Sequence, residues 1–383
     1  MKKLPDIRMV KDLKGKRVLV RVGFDVSVES HQVVDDFRIR RSLLTIDYLK
    51  SKGAKVILIS HIGRDKKESL RPVADHLNRT LNVKVGFVPD IESKIVKTMI
   101  KNMSEGSVIL LENLRQCPGE VKNSDAFAKK LAAFGDIYVN DAFSVSHREH
   151  ASIVGIPKYL PSYAGILFLE EVEHLSMALK PERPFLFILG GAKISTKIPL
   201  LEKFMKIADT VFVGGALAND LLRERGVEVG KSLVDLSAIN IKKISNNPKL
   251  ILPEDVLVEG GVLGIAKNLK NIGKEDVIAD VGPKTRKSFE KLVSKHNFII
   301  MNGPLGNCEK GYDKGTRKIL KVLADSKTAK VIIGGGDTEE TISEMKLEKA
   351  FKFISTGGGA MLDLLVDGKL FGIDALLENK NKK

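Results

Sequence analysis

Short runs of apolar, often β-branched residues recur along the whole chain, separated by longer stretches in which apolar positions return every three or four residues. The runs lie near 16–22, 55–60, 107–112, 136–140, 185–189, 210–214, 249–252, 297–302, 330–333 and 351–355. Each has the length of a strand. The stretches between them, such as 41–52 and 125–134, carry the spacing of amphipathic helices. This alternation predicts βαβ units and mostly parallel sheets. The runs are almost wholly apolar, so helices are expected on both faces of each sheet.

Ten strands suit one large sheet or two smaller ones. Pro157 and Pro161 interrupt the pattern, and the stretch 164–179 beyond them has helical spacing as far as Lys180-Pro181. That stretch reads as a semi-rigid connector. With 383 residues, the chain also exceeds what one ordinary core organises. The expected fold class is α/β, with two lobes, each a mostly parallel sheet covered by helices in a Rossmann-like manner, joined by a hinge helix. The lobes are expected at 1–162 and 181–367, with the connector at 163–180. The last residues, Glu378 to Lys383, read as a frayed tail.

Composition narrows the class. The chain is 43% hydrophobic and 29% charged, ordinary for a soluble protein. No apolar stretch suffices to span a membrane, and the first residues lack the apolar core of a signal peptide. Cys117 and Cys308 give neither a disulfide framework nor metal-ligand spacing. A cytoplasmic protein is expected. Of the net charge of +15, a surplus of ten falls in residues 1–160 and five in the rest. Such a surplus suits a polyanionic ligand. Nucleic acid is not expected, since Trp is absent, aromatics are 5%, and no nucleic-acid motif is present.

Chemistry concentrates where the runs end. In open α/β sheets ligands bind outside the carboxyl ends of the strands. In the first half those ends carry Arg and His: Arg21, Arg38, His61, Arg64, Arg115, His147, Arg148 and His150. Arginine's planar fork suits phosphate and carboxylate. Arg21 lies within an apolar run, where Asp25 is a plausible structural partner. In the second half the ends carry Gly190-Gly191-Ala192-Lys193, Gly334-Gly335-Gly336-Asp337-Thr338 and Ser355-Thr356-Gly357-Gly358-Gly359. Glycines let a ligand approach the backbone, and a helix starting after them favours phosphate. Asp337 or Thr338 can cap that helix; alternatively Asp337 can hold Mg²⁺. Lys193 and Lys197 share a face if a helix begins directly after Gly191. Tight turns and solvated lysines are the structural alternatives at each of these places. Agreement among several strand ends favours a phosphoryl-transfer enzyme.

Taken together, these segments resemble phosphoglycerate kinases over essentially the whole chain. The matching stretches run from Arg21 to Val26, Asp35 to Arg40, Ser60 to Arg64, Leu110 to Arg115 and Asn140 to Arg148. They continue from Leu189 to Lys197, Asn302 to Gly306, Gly334 to Thr338 and Ser355 to Ala360. The resemblance implies reversible, Mg²⁺-dependent phosphoryl transfer between 1,3-bisphosphoglycerate with ADP and 3-phosphoglycerate with ATP, in glycolysis and gluconeogenesis, by a hinge-bending monomer. It places the phosphoglycerate at Gly23, Phe24, Asp25, Arg38, His61, Ile62, Gly63, Arg64, Arg115, His147 and Arg148. It places the nucleotide at Gly191, Ala192, Lys193, Lys197, Gly214, Gly215, Asn302, Glu309 and Gly334 to Thr338, including Gly335, Gly336 and Asp337. Glu309 matches the ribose-binding carboxylate and Asp337 the metal-linked aspartate. Arg38, Lys193 and Lys197 are implied to gather on the migrating phosphoryl group when the lobes close. The segment 368–383 is implied to return to the first lobe.

Some positions depart from the family pattern. Gly23 stands where an aspartate is usual and Asp25 where an asparagine is usual. Ser144-Val145-Ser146 replaces a common Gly-Thr-Ala. Losing one hydrogen bond at position 23 costs about 0.5–1.5 kcal/mol. Weaker phosphoglycerate binding is therefore expected, and a weakened or inactive homologue that binds a nucleotide or partner is the alternative reading. Ala216, Asp220, Asn307 and Cys308 depart around the expected adenine pocket, with Cys308 expected to be a packing residue.

Overall fold

The computed structural model describes residues 2–192, 194–195, 197–235, 240–261 and 263–380. The chain divides into two compact units, one of Met1–Glu173 with Asp367–Lys383, the other of His174–Val366. The division falls inside the helix Ile166–Ser176.

In the first unit a six-stranded sheet runs in the order Val85–Val88, Val108–Leu111, Lys55–Ile59, Arg17–Arg21, Ile137–Asn140, Ser162–Ala164. Every pairing is parallel. Successive side chains leave the sheet on opposite faces. Val18, Val20, Val56, Leu58, Val108 and Leu110 join Ile39, Ile46, Leu49, Val73 and Leu77 in one core. Leu19, Ile57, Ile59, Ile109 and Leu111 join Val96, Ile100, Phe127 and Leu131 in the other. Both faces are thus dry, which is why the strands read as continuous apolar runs.

The helix Phe371–Lys380 belongs to this unit. Asn379, expected in a frayed tail, is buried instead. Its amide donates to the carbonyls of Pro157 (2.6 Å) and Leu160 (2.9 Å), and its oxygen accepts the Ser162 N–H at 3.0 Å. A polar tail composition concealed one residue that completes three backbone groups. Residues 381–383 of that tail lie outside the described residues.

The second unit repeats the architecture. Its sheet runs Leu250–Ile251, Thr210–Val213, Phe185–Leu189, Phe298–Asn302, Lys330–Gly334, Phe353–Ser355, again all parallel. A three-stranded antiparallel sheet adds Asp255–Val258, flanked by Ile265–Asn268 and Ile278–Val281. Each of the ten expected strands is present. The antiparallel sheet, Val85–Val88, Ser162–Ala164 and the hairpin Val28–Glu29 with Gln32–Val33 were not foreseen. The stretch 164–179 is a strand end, the helix Ile166–Ser176 and a 3-10 turn Met177–Leu179 rather than one helix. Among the described residues no helix is long and apolar enough to cross a membrane.

Candidate active site

At the carboxyl ends of the first sheet, positive charge accumulates faster than negative charge answers it. Arg38, Arg115 and His147 are half-buried, Arg64 and Arg148 are exposed, and Arg21, His61 and Ile62 are buried. The Arg115 guanidinium, which donates to the Gly63 carbonyl, is held below its ordinary value by burial first and then by Arg148. Arg64 pushes in the same direction. His150 is pushed down to about 4, by burial and then by Arg21, Arg148 and Arg115. Cations crowded at strand ends, lowering Arg115 and His150 in this way, make a ready site for a multiply charged anion.

Arg21 does not pair with Asp25 as expected from sequence. Its Nη2 lies 2.7 Å from His61 Nδ1, its Nε donates to Ser152 Oγ at 3.1 Å, and its Nη1 reaches the Val22 carbonyl. Ser152 in turn binds the buried Glu120, donating its N–H at 3.0 Å and its hydroxyl. Burial lowers Arg21 and raises Glu120, and each partly offsets the other. Glu120 is the countercharge that sequence reasoning missed; a single Glu after Pro118-Gly119 carries no signal of burial. Asp25 instead accepts the Gly63 N–H at 2.8 Å and faces His61 Nε2 at 3.2 Å. Burial pushes its carboxyl up, but His61, the Gly63 N–H and Arg115 outweigh that and bring it to about 2. Arg38 Nη1 donates to the Asp25 main-chain carbonyl at 3.3 Å.

In the second unit, register builds the site. Asn302 lies opposite Leu189 on one side and Gly334 on the other. The glycine turns that follow are therefore neighbours: Gly190 N–H donates to the Asn302 carbonyl (2.9 Å) and Gly191 N–H to that of Pro304 (3.0 Å). A Cβ at Gly190 would come within 2.0 Å of the Pro304 oxygen. Gly215, at φ +64°, would crowd Gly191 within 2.9 Å. Only glycine allows these backbones to lie so close.

Beside these turns opens a cavity of about 840 Å³ lined by Gly191, Ala192, Gly215, Glu309, Asp337 and apolar groups including Leu305. Gly214, Asn302, Gly334 to Gly336, Thr338 and Lys197 are not on its wall. Lys197 Nζ reaches Asn302 Oδ1 at 3.4 Å, and burial holds its ammonium below the ordinary value. The helix here starts at Ile198, with Pro199 in its first turn, not directly after Gly191. Lys193 lies outside the described residues. Farther on, the helix Gly336–Glu344 has Gly335 as its N-cap, so neither Asp337 nor Thr338 caps it. The exposed Asp337 carboxylate in the first turn is not spent on capping.

The profile of the family described as phosphoglycerate kinase matches residues 7–369. The chain belongs to the phosphoglycerate kinase family. It is 43% identical over 385 residues to a phosphoglycerate kinase of Dictyoglomus turgidum, covering 96% of this chain and 97% of the relative. Among solved structures, the phosphoglycerate kinase from Pyrococcus horikoshii OT3 superposes with a TM-score of 0.91 at 28% identity, over 99% of this chain and 100% of that one. The one from Coxiella burnetii gives 0.82 at 34% identity, over 98% and 99%.

As a member of the phosphoglycerate kinase family the chain is a kinase with a carboxyl group as acceptor and a nucleotide as co-substrate. The match favours the active reading over that of an inactive homologue. Cavity-lining groups that sequence reasoning passed over include Lys231, Arg317 and Glu340. They come from solvated helices and a loop, where one charged residue resembles any other. Cys308 lines the cavity too; burial raises its thiol to about 11, which disfavours the nucleophilic thiolate.

Proposed function

We propose that the cationic strand ends of the first unit bind 3-phosphoglycerate or 1,3-bisphosphoglycerate, and that the cavity of the second unit binds ADP or ATP. The observation that carries the first assignment is the gathering of Arg115, Arg148 and Arg64 at these strand ends, where Arg148 and Arg64 add to the burial that lowers Arg115. Bringing those charges together is unfavourable in the empty protein, and a dianionic phosphate relieves it. His61 and the backbone of Gly23, Phe24, Ile62 and Gly63 complete that site. Glu309 faces the ribose, and the glycine turns admit the phosphates.

In the direction of ATP use, a carboxylate oxygen of 3-phosphoglycerate attacks the γ-phosphorus. The new C–O–P bond forms as the bond from phosphorus to the ADP oxygen breaks, and ADP leaves with that electron pair. The attacking carboxylate is already ionised, so no general base is required. Catalysis then rests on alignment and fixed positive charge. Arg38, Lys193 and Lys197 are assigned to neutralise the migrating phosphoryl oxygens. Different units are assigned to the two reactants, and the family's hinge bending serves their transfer.

Mg²⁺ fits the residues present. Among the described residues no group of three or more His, Cys, Asp or Glu side chains forms a metal cage. Mg²⁺ on a nucleotide needs only one or two carboxylates, with phosphates and water supplying the rest. Asp337, exposed in the first turn and on the cavity wall, is the residue to hold it. When bound, the ion offsets phosphate charge. We assign the protein to the cytoplasm, as a monomer.

A coupled assay of 1,3-bisphosphoglycerate with MgADP tests the reading. Phosphoglycerate-dependent ATP formation is expected, and its absence from well-folded protein would overturn the proposal. Arg115→Ala should raise KM for 3-phosphoglycerate while leaving that for ATP unchanged.

A further inference from the structure

Gly23 and Ser144 follow neighbouring strands of the first sheet. Arg17–Arg21 pairs in register with Ile137–Asn140, with Arg21 opposite Asn140, so the residues just beyond the two strands meet. Gly23 contributes no side chain, and a Cβ built there would lie 3.2 Å from Ser144 Oγ. That is tighter than ordinary contact, so a side chain at position 23 and the hydroxyl at position 144 compete for one space. Both positions depart from the family pattern, and the geometry makes the two departures a single one.

Ser144 lies half-buried on the 3-10 turn Phe143–Val145. Other serine hydroxyls of this region are committed inward. Ser60 donates to the Val22 carbonyl at 2.8 Å, Ser146 to the Ala142 carbonyl at 3.0 Å, and Ser152 to Glu120. The Ser144 hydroxyl makes no hydrogen bond to protein among the described residues.

The arginines of this site answer a phosphate and a carboxylate, while the Asp25 carboxylate is already engaged by His61 and the Gly63 N–H. Phosphoglycerate also carries a neutral hydroxyl at C2. A guanidinium only donates, whereas a serine hydroxyl donates and accepts, and so can serve a hydroxyl in either sense. We propose that Ser144 is a substrate-binding residue whose hydroxyl hydrogen-bonds the C2 hydroxyl of phosphoglycerate in the space that Gly23 leaves open. This rests on the assignment of the cationic strand ends to phosphoglycerate.

The test compares Ser144→Ala and the shape-conserving Ser144→Cys with the unaltered enzyme, using two ligands. One is 3-phosphoglycerate; the other is 3-phosphooxypropanoate, which lacks the C2 hydroxyl, used as a competitive inhibitor. Both variants should raise KM for 3-phosphoglycerate about two- to twelvefold, the range of one neutral hydrogen bond. KM for ATP, the melting temperature and the inhibition constant of the hydroxyl-free analogue should stay as in the unaltered enzyme. An unchanged KM for 3-phosphoglycerate, or an equal loss for both ligands, overturns the proposal. Absence of phosphoglycerate turnover in the unaltered enzyme would instead remove the site assignment beneath it, and shows before any substitution is made.

Discussion

Nη2 of Arg21 lies 2.7 Å from Nδ1 of His61, and this contact decides which nitrogen of the histidine carries its proton. Arginine is a donor only, so Nδ1 accepts and Nε2 bears the hydrogen. Nε2 then donates to Asp25 at 3.2 Å. Burial pushes His61 down to about 4, Arg21 adding to the effect and Asp25 opposing it, so the ring is neutral at physiological pH. The Asp25 carboxylate is engaged by His61 and by the Gly63 N–H. It is therefore no uncompensated anion confronting the substrate.

Asp25 should tie stability to acid pH. Its folded carboxyl sits at about 2, below the ordinary value of 3.8. A carboxyl depressed by folding contributes stability above its unfolded value, and that contribution is lost as pH falls through the folded value. Asp25→Asn should melt below the unaltered protein at pH 6, with the gap closing between about pH 4 and 2. Melting curves by circular dichroism at several pH values measure this; a gap independent of pH would refute it.

Asp141 should act in the opposite sense. Complete burial raises its carboxyl to about 8, although the Thr45 hydroxyl and the Phe168 and Leu167 N–H groups pull it down. A carboxyl raised by folding contributes stability below its unfolded value of 3.8, and that is lost as pH rises through the folded value. Asp141→Asn, a neutral near-isostere, should therefore gain on the unaltered protein as pH rises from about 4 to 8, with no further gain above. Urea midpoints at pH 5, 7 and 9 read the difference. A constant offset would mean that Asp141 titrates normally.

Legibility in the sequence followed physical strength. Strands buried on both faces, such as Phe185–Leu189, must be apolar throughout, and runs of that kind stood out. Ile265–Asn268 is largely exposed and carries Lys267 and Asn268, so no pattern marks it. Site cations at strand ends were visible because an Arg or His interrupts an apolar run. The buried partners of those cations were not: Glu120 and Ser152 reach Arg21 from a short helix and a π-turn far along the chain. Asn379 was hidden for the same reason, its burial being decided by residues 157–162.

That amide offers a direct check on the C-terminal helix. Asn379→Ala would strip the side-chain partner from the Pro157 carbonyl and the Ser162 N–H, while the Leu160 carbonyl keeps the Ser162 hydroxyl at 2.8 Å, at a cost of about 1–3 kcal/mol. Urea unfolding should show the loss, and amide exchange should quicken first in Phe371–Lys380. Unchanged stability would mean that water replaces the side chain without penalty.

Lys197 carries the last expectation. Its ammonium is partly stripped of water, with Asn302 Oδ1 at 3.4 Å as a neutral partner. Burial alone lowers its pKa. A cation held this way interacts most strongly with a charge that arrives during the reaction, since little solvent must be displaced. Lys197→Met keeps the stem and removes the charge. Its kcat should fall about 10²- to 10³-fold, as when one preorganised donor to a developing charge is lost. Both KM values should change far less, because the ground-state phosphates have other partners. A tenfold rise in KM for ATP with kcat intact would place Lys197 on the bound nucleotide instead, and would take the migrating phosphoryl group out of its reach.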